Sequence, residues 1–364
     1  MLVKDICSII NNSTFNNDFK SNVSTYSNRG GSMNIYDVSK KAGVSIATVS
    51  RVMNGNKNVS EKTREKVLKV MEEIGYTPNV FARGLGLNSM KTIGIMCADS
   101  SDPFLANAVY YIEGELRKYG YDSFLCCTGY ELKNKENCLN LLLSKRIDAA
   151  ILVGSSYLES NKKDNSYILK AANEVPVMLI NGYINQPNIY CTLCDDYQAT
   201  YDATSLLLEH GKKNLLFLYK TKSYSGIQKI NGFKNAMEEY ELYSEDLVKC
   251  GGDSITEAMD LLTKLYEEGM RYDAILTSDD ILAVGAIKFA KIKKIKIPQE
   301  LNIIGYNNSL LASCCEPELS SIDNHVETLS ITTVNTLMRV LGGHTVPNKT
   351  MISNDLIIRN TTQF

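Results

Sequence analysis

Ile35-Tyr36-Asp37-Val38-Ser39-Lys40-Lys41-Ala42-Gly43-Val44-Ser45-Ile46-Ala47-Thr48-Val49-Ser50-Arg51-Val52-Met53-Asn54 reads as two short helices joined by a tight turn. Val38 and Ala42 stand four apart on one helix face, and Val49, Val52 and Met53 share a face of the next. Gly43 falls where the first helix must end, since a left-handed residue there is cheapest without a Cβ. Ser45 is placed to cap the second helix. So short a pair buries little by itself, so its second helix is expected to be presented to something. Ile46, Ala47, Thr48, Ser50, Arg51 and Asn54 are left exposed, and they suit phosphates and base edges better than solvent. The plain alternative is an ordinary surface helix hairpin.

The continuation argues against that alternative. Ser60 caps a third helix whose apolar stripe is Val67, Val70, Met71 and Ile74. Gly75-Tyr76-Thr77-Pro78-Asn79 ends it, because proline keeps the residue before it extended. Val80-Phe81-Ala82-Arg83-Gly84-Leu85 follows. This head resembles the lac repressor/galactose repressor (LacI/GalR) family of bacterial transcription regulators. Within it, the run Ile46–Val52 and Ala82-Arg83-Gly84-Leu85 are most like the branch typified by catabolite control protein A. The resemblance runs from about Asn34 to the C-terminus.

Charge distribution points the same way without the family. Residues 33–91 hold ten Lys/Arg against five Asp/Glu, whereas the whole chain is formally −2. A basic head on an acidic body suits a polyanion bound at one end, so the salt-sensitive part of affinity should reside in the head.

The chain is 364 residues long and 44% apolar, enough for two or three domains with buried cores. No apolar run approaches the roughly 20 residues that span a bilayer, and a cytoplasmic protein with no membrane partner is expected. The ten cysteines are not a disulfide framework; Cys97, Cys126 and Cys127 lie in apolar strand-like runs and are expected to be buried, reduced thiols. Cys191 and Cys194 form a CxxC, but no second pair or nearby histidine completes a metal set. Neither a metal nor a cofactor is expected. Residues 1–32, rich in Asn and Ser, read as disordered or as a mis-annotated extension. Arg29-Gly30-Gly31-Ser32 can be encoded by a purine-rich stretch of the kind that precedes start codons, so Met33 is the expected natural start.

From Thr92 onward strands alternate with amphipathic helices. Expected strands are Ile93–Cys97, Ser123–Cys127, Ala149–Val153, Val175–Ile180, Leu215–Leu218, Ala274–Thr277 and Leu301–Gly305. Short continuous apolar strands between helices imply parallel sheets covered on both faces. The expected fold is therefore α/β: a helix-turn-helix head at 33–78, a hinge helix at 79–90, and a core at 91–364. The resemblance extends to periplasmic sugar-binding proteins and implies a two-lobed, doubly wound core that the chain crosses three times. The first lobe would hold about 91–190 and 323–342, and the second about 191–322 and 343–364.

Ligands of open α/β sheets bind beyond the carboxyl ends of strands. Candidate effector contacts placed there, which also match the family's pocket positions, are Asp102, Phe104, Asn181, Asp196, Lys229, Asp279 and Asn307. Carboxylates and amides suit sugar hydroxyls, and an aromatic suits a ring face. The alternative is capping: Asp195 and Asp279 both begin helices, where carboxylates are favoured anyway. The chain departs from the family's usual Asn at Asp279, its Asp-Asp at Asn307-Asn308 and its Arg at Lys229, so no named sugar transfers.

The resemblance also assigns the head. Ile46, Ala47 and Arg51 would read bases, while Tyr36, Ser45, Thr48, Ser50, Asn54, Ser60, Thr63 and Tyr76 would hold phosphates. Asn79 to Asn88 would be the hinge, with Asn79 and Ala82 at the DNA and Leu85 wedged into the minor groove. Partners implied are a double-stranded operator, a sugar-like small-molecule effector and a second copy of the chain. No leucine-rich tail helix follows Arg359, which favours a dimer. Catabolite regulators use a phosphorylated carrier protein as corepressor; Glu316 stands where they carry an arginine and would repel a phosphoserine. Catalysis is not expected: no G-x-G-x-x-G or P-loop follows the first body strand, and His210, His325 and His344 lack a nucleophile partner. A transport-type binding protein would need a signal peptide and no helix-turn-helix.

Overall fold

A computed structural model describes residues 34–53, 58–76 and 89–364. The candidate positions Asn54, Asn79, Ala82 and Leu85, the hinge as far as residue 88 and the segment 1–32 lie outside the described residues. The chain divides into two units, residues 1–87 and 88–364.

In the head, α1 (Ile35–Ala42), α2 (Ile46–Met53) and α3 (Glu61–Glu73) pack around Val38, Ala42, Val49, Val52, Val67, Val70 and Met71. These are the predicted apolar stripes except for Met53 and Ile74, which are half-buried against the same core. Gly43 has φ +60° and its N–H donates to the carbonyls of Lys40 and Ser39, closing α1 in the left-handed geometry that glycine adopts freely. Asn34 caps α1 in a reciprocal box with Asp37. Ser45 Oγ accepts from Thr48 N (3.1 Å), and Ser60 Oγ accepts from Thr63 N (3.3 Å).

The body contains two six-stranded sheets. The first begins with β1 (Thr92–Cys97), α4 (Pro103–Lys118), β2 (Asp122–Cys127), α5 (Leu132–Ser144) and β3 (Ala149–Val153). It continues with α6 (Ser166–Ala172), β4 (Val177–Ile180) and β5 (Ile189–Cys194). The chain then crosses into α7 (Asp196–Glu209), β6 (Leu215–Tyr219), α8 (Tyr224–Glu239), β7 (Val248–Cys250) and α9 (Ile255–Glu267). Next come β8 (Ala274–Thr277), α10 (Asp280–Lys293), β9 (Asn302–Tyr306), α11 (Leu310–Cys314) and β10 (Ser320–Asp323). It returns through α12 (Val326–Leu341) and β11 (Lys349–Ile352), and finishes on β12 (Asp355–Ile357).

Strand order is β11-β5-β4-β3-β1-β2 in the first sheet and β12-β10-β9-β8-β6-β7 in the second. Every pairing is parallel except β10–β12. Strands β1, β3, β4, β8 and β9 are buried along their whole length, as continuous apolar runs under helices on both faces must be. Separate apolar clusters cover the two faces of each sheet.

Strands β5, β7, β10, β11 and β12 are not among those expected, and the ends of β1, β2, β6 and β9 shift by one residue; three further differences bear on the lobes. Pro176 has no N–H to give the ladder, so β4 starts at Val177 rather than Val175. All of Ile189–Cys194 pairs with β4, so the first crossing falls after residue 194, not at 190. Lys349–Ile352 pairs with Cys191–Cys194, so residues 343–364 are split between the lobes instead of lying wholly in the second. The half-exposed pattern of β11 gives no apolar signal by which its sheet could be read. The 323–342 segment does pack on the first lobe: Leu329, Val334 and Leu337 join its core.

Cys127 is a further correction. It lies on an edge strand and is exposed, while Cys97 beside it is fully buried.

Candidate functional site

Strand ends of both sheets, together with the crossings between them, wall a cavity of about 120 Å³. Asp102, Phe104, Asn181, Asp196, Lys229, Asp279 and Asn307 all line it, although they span more than 200 positions of sequence. The convergence follows from topology: parallel strands in each lobe present their carboxyl ends to the same cleft.

Each side chain is held by a specific local device. Asp102 caps α4, its Oδ1 accepting from Phe104 N (3.0 Å) and Leu105 N (3.1 Å), with Pro103 in the first helical turn. This leaves Oδ2 to face Lys220 Nζ across the cleft at 3.3 Å. Asn181 has φ +58°, a conformation asparagine tolerates, and its Oδ1 accepts from Cys194 N at 2.9 Å. Asn307, at φ +91°, accepts through Oδ1 from Asn324 Nδ2 (2.8 Å). Asp279 caps α10 through Leu282 N (3.0 Å).

Lys229 and Asp196 form the buried floor. Lys229 Nζ donates to the Ser278 carbonyl (3.0 Å), lies 3.9 Å from Asp196 Oδ1 and sits 3.5 Å from the centroid of the Tyr306 ring. Asp196 accepts from Ser225 Oγ and from Tyr306 OH, both at 2.6 Å. Burial raises the Asp196 carboxyl above the usual range, opposed by Lys229 and these two hydroxyls. Burial also raises Asp279. Burial would lower Lys220, but the carboxylates of Asp279 and Asp102 outweigh it and the amine ends raised.

Capping and lining are not exclusive. Asp195 only caps, through Gln198 N, and stays out of the cavity, whereas Asp102 and Asp279 do both. Asn308 binds Asp323 and Arg359 instead of the cavity. Asp280 is a structural brace, accepting from Ser309 N, Ser309 Oγ and Ser321 Oγ. Sequence reasoning passed over Tyr130, Ser155, Lys220, Ser223, Ser278 and Asn324, which also line the cavity. Tyr130, Ser155, Lys220 and Ser278 follow the ends of β2, β3, β6 and β8, so the strand-end rule applied to every strand would have found them. Asn324 follows β10, which carries no such signal.

In the head, Tyr36, Ser45, Ile46, Ala47, Arg51 and Ser60 are exposed, and Thr48, Ser50, Thr63 and Tyr76 are half-buried. Among the described residues no group of three or more His, Cys, Asp or Glu side chains is arranged to hold a metal ion. No helix described is long and apolar enough to cross a membrane.

Residues 34–79 match the profile of bacterial regulatory proteins of the lacI family, and residues 90–360 match that of periplasmic binding proteins and the sugar binding domain of the LacI family. The chain belongs to the LacI family. An HTH-type transcriptional regulator from Lachnoclostridium phytofermentans is 66% identical over 333 residues, covering 91% of this chain and 100% of its own. Catabolite control protein A of Priestia megaterium is 32% identical, covering 86% and 93% respectively. Among solved structures, the lac repressor dimer bound to operator and the anti-inducer ONPF superposes with TM-score 0.83 at 23% identity, covering 91% of this chain and 99% of that one. A complex of the regulator CelR with cellobiose gives 0.67 at 23%, covering 90% and 99%. The relatives of this LacI-family chain are transcriptional regulators, not enzymes.

Proposed function

We propose that this LacI-family regulator is a cytoplasmic repressor that binds a palindromic operator as a homodimer, and that a sugar-like effector between its lobes sets its DNA affinity. The observation that carries the effector reading is the convergence of all seven candidates on one cavity, six of them after strand ends and Lys229 from within α8. Asp102, Asp279, Asn181 and Asn307 supply acceptors and donors for hydroxyl groups there, with Phe104 as an apolar wall. Lys229, already engaged by Ser278, Asp196 and Tyr306, acts as a fixed part of the floor.

In the head, Arg51 is exposed at the last turn of α2 and is free to reach guanine bidentately. Ser45 and Ser60 mark helix N-termini where backbone amides favour phosphate. Asn79, Ala82 and Leu85 extend the interface into the minor groove. A ligand that binds closed lobes better than open ones would change the spacing of paired hinges and so DNA affinity.

Likeness to catabolite control protein A raises a second reading, with a phosphorylated carrier protein as corepressor. Glu316 is exposed, and by the resemblance it stands where those regulators carry an arginine, so its charge would repel a phosphoserine. A small-molecule-responsive regulator is therefore favoured.

Selection of random duplex DNA on the purified full chain at moderate salt tests the DNA reading. An enriched palindrome with a central CG step is expected. A folded dimer that enriches nothing, with and without a library of mono- and disaccharides, would overturn it.

A further inference from the structure

β2 is the edge strand of the first sheet, paired only with β1, and the pairing puts Cys127 directly beside Cys97. Their sulfurs are 3.7 Å apart. Neighbouring strands lie about 4.8 Å apart, inside the Cα separation of roughly 4.4–6.8 Å that a disulfide spans. Thus the bond needs the two sulfurs to approach, not the backbone to rearrange. Cys127 is exposed and Cys97 is fully buried. On the other face of the strand, Cys126 packs with Cys138 of α5 against a different apolar cluster, so Cys127 has Cys97 as its partner on its own side.

We propose that Cys97 and Cys127 form a reversible dithiol–disulfide site, oxidised by low-molecular-weight disulfides such as oxidised glutathione. Cys127, as thiolate, attacks the small disulfide and expels one thiolate, leaving a mixed disulfide on its own sulfur. Cys97 then gives up its proton to solvent and attacks the Cys127 sulfur, expelling the second thiolate. Two protein thiols are oxidised and one small disulfide is reduced to two thiols. The order follows from exposure: only Cys127 meets the reagent. Burial pushes the Cys97 thiol up to about 12, with the contact to Cys127 adding to the rise. Its thiolate therefore becomes useful only against a sulfur already in contact with it.

The bond would join the bases of two loops. Cys97 ends β1, five residues before Asp102, and Cys127 ends β2, three before Tyr130; both Asp102 and Tyr130 line the cavity. Oxidation would fix the spacing of those two walls. Formation of the cross-link does not depend on what the cavity binds, so its absence would leave the effector reading intact.

The test incubates the reduced, folded full chain with graded ratios of reduced to oxidised glutathione, then alkylates it and maps the peptides by mass spectrometry. The expected result is a Cys97–Cys127 peptide with loss of two thiols per chain, reversed by dithiothreitol and retained in Cys126→Ser. In Cys97→Ser the reaction should stop at a glutathione adduct on Cys127, which shows that the fold and the first step survive. Three wild-type results would each overturn the site: an adduct that persists on Cys127, full reduction at every ratio, or Cys127 linked to Cys126, Cys138 or a second chain.

Discussion

Asp102 Oδ2 at the start of α4 and Lys220 Nζ beyond the end of β6 are 3.3 Å apart, and they belong to different lobes. This contact is one of several side-chain contacts between the lobes; others join Ser155 Oγ to Ser223 Oγ at 2.9 Å and Asn324 Nδ2 to Asn307 Oδ1 at 2.8 Å. Both partners of the ion pair are only about one-fifth exposed, with side-chain exposures of 20% and 18%. The tie therefore links the two lobes directly. Lys220→Met should open them, seen as a larger radius of gyration in small-angle scattering. A double-mutant cycle with Asp102→Asn, which preserves the helix cap, should give a coupling of about 1 kcal/mol. Additive single effects would mean that the pair contributes nothing to closure.

Asp280 makes a pH-dependent contribution to stability. Burial pushes its carboxyl up to about 6 from 3.8, against the opposing hydrogen bonds from Ser321 and Ser309. The folded state thus holds this proton more tightly than the unfolded chain does. Its contribution is fully present below about pH 4 and is lost as pH rises through 6. Between pH 4 and pH 7 the stability of Asp280→Asn relative to wild type should therefore improve, by up to about 3 kcal/mol. Urea unfolding of both proteins at the two pH values measures it; a difference independent of pH would refute the assignment.

Arg51 is exposed on α2 with its guanidinium presented outward from the three-helix core. Arg51→Ala should cost about 1–3 kcal/mol per half-site and relax preference at one base position. Equal weakening on every sequence would make Arg51 a phosphate contact instead, and competition binding against single-base operator variants separates the two.

Under the family resemblance Gly86 and Leu87 fall in the hinge that would fold on operator. Glycine costs a helix roughly 1 kcal/mol against alanine. If the hinge folds on operator, Gly86→Ala should tighten operator binding by up to about fivefold per hinge, since each 1.4 kcal/mol is tenfold in affinity. Titration of labelled operator reads this directly, and unchanged or weaker binding would remove the hinge argument.

Much of this protein is legible along the chain because its signals are local. Gly43, Ser45 and Ser60 bound the head helices through contacts reaching at most five residues away, so spacing alone places α1, α2 and α3. Continuous apolar runs such as Ala149–Val153 announce buried parallel strands, and the rule that ligands sit past strand ends gathers Asp102, Asn181, Asp279 and Asn307, whereas Lys229, inside α8, is reached only through the family resemblance. Other features depend on partners far away in sequence. Lys349–Ile352 joins the first sheet only because Cys191–Cys194 offers an open edge, and no pattern within those four residues encodes it. Asn324 reaches the cavity because the chain crosses between lobes beside it. Lys220 faces Asp102, and Cys127 faces Cys97, through parallel register set by hydrogen bonds between separate strands and by the closing of two lobes. Periodicity and capping determined the head helices and the central strands, and strand ends with the family resemblance the cavity's main residues; non-local pairing decided the edge strands and which residues touch.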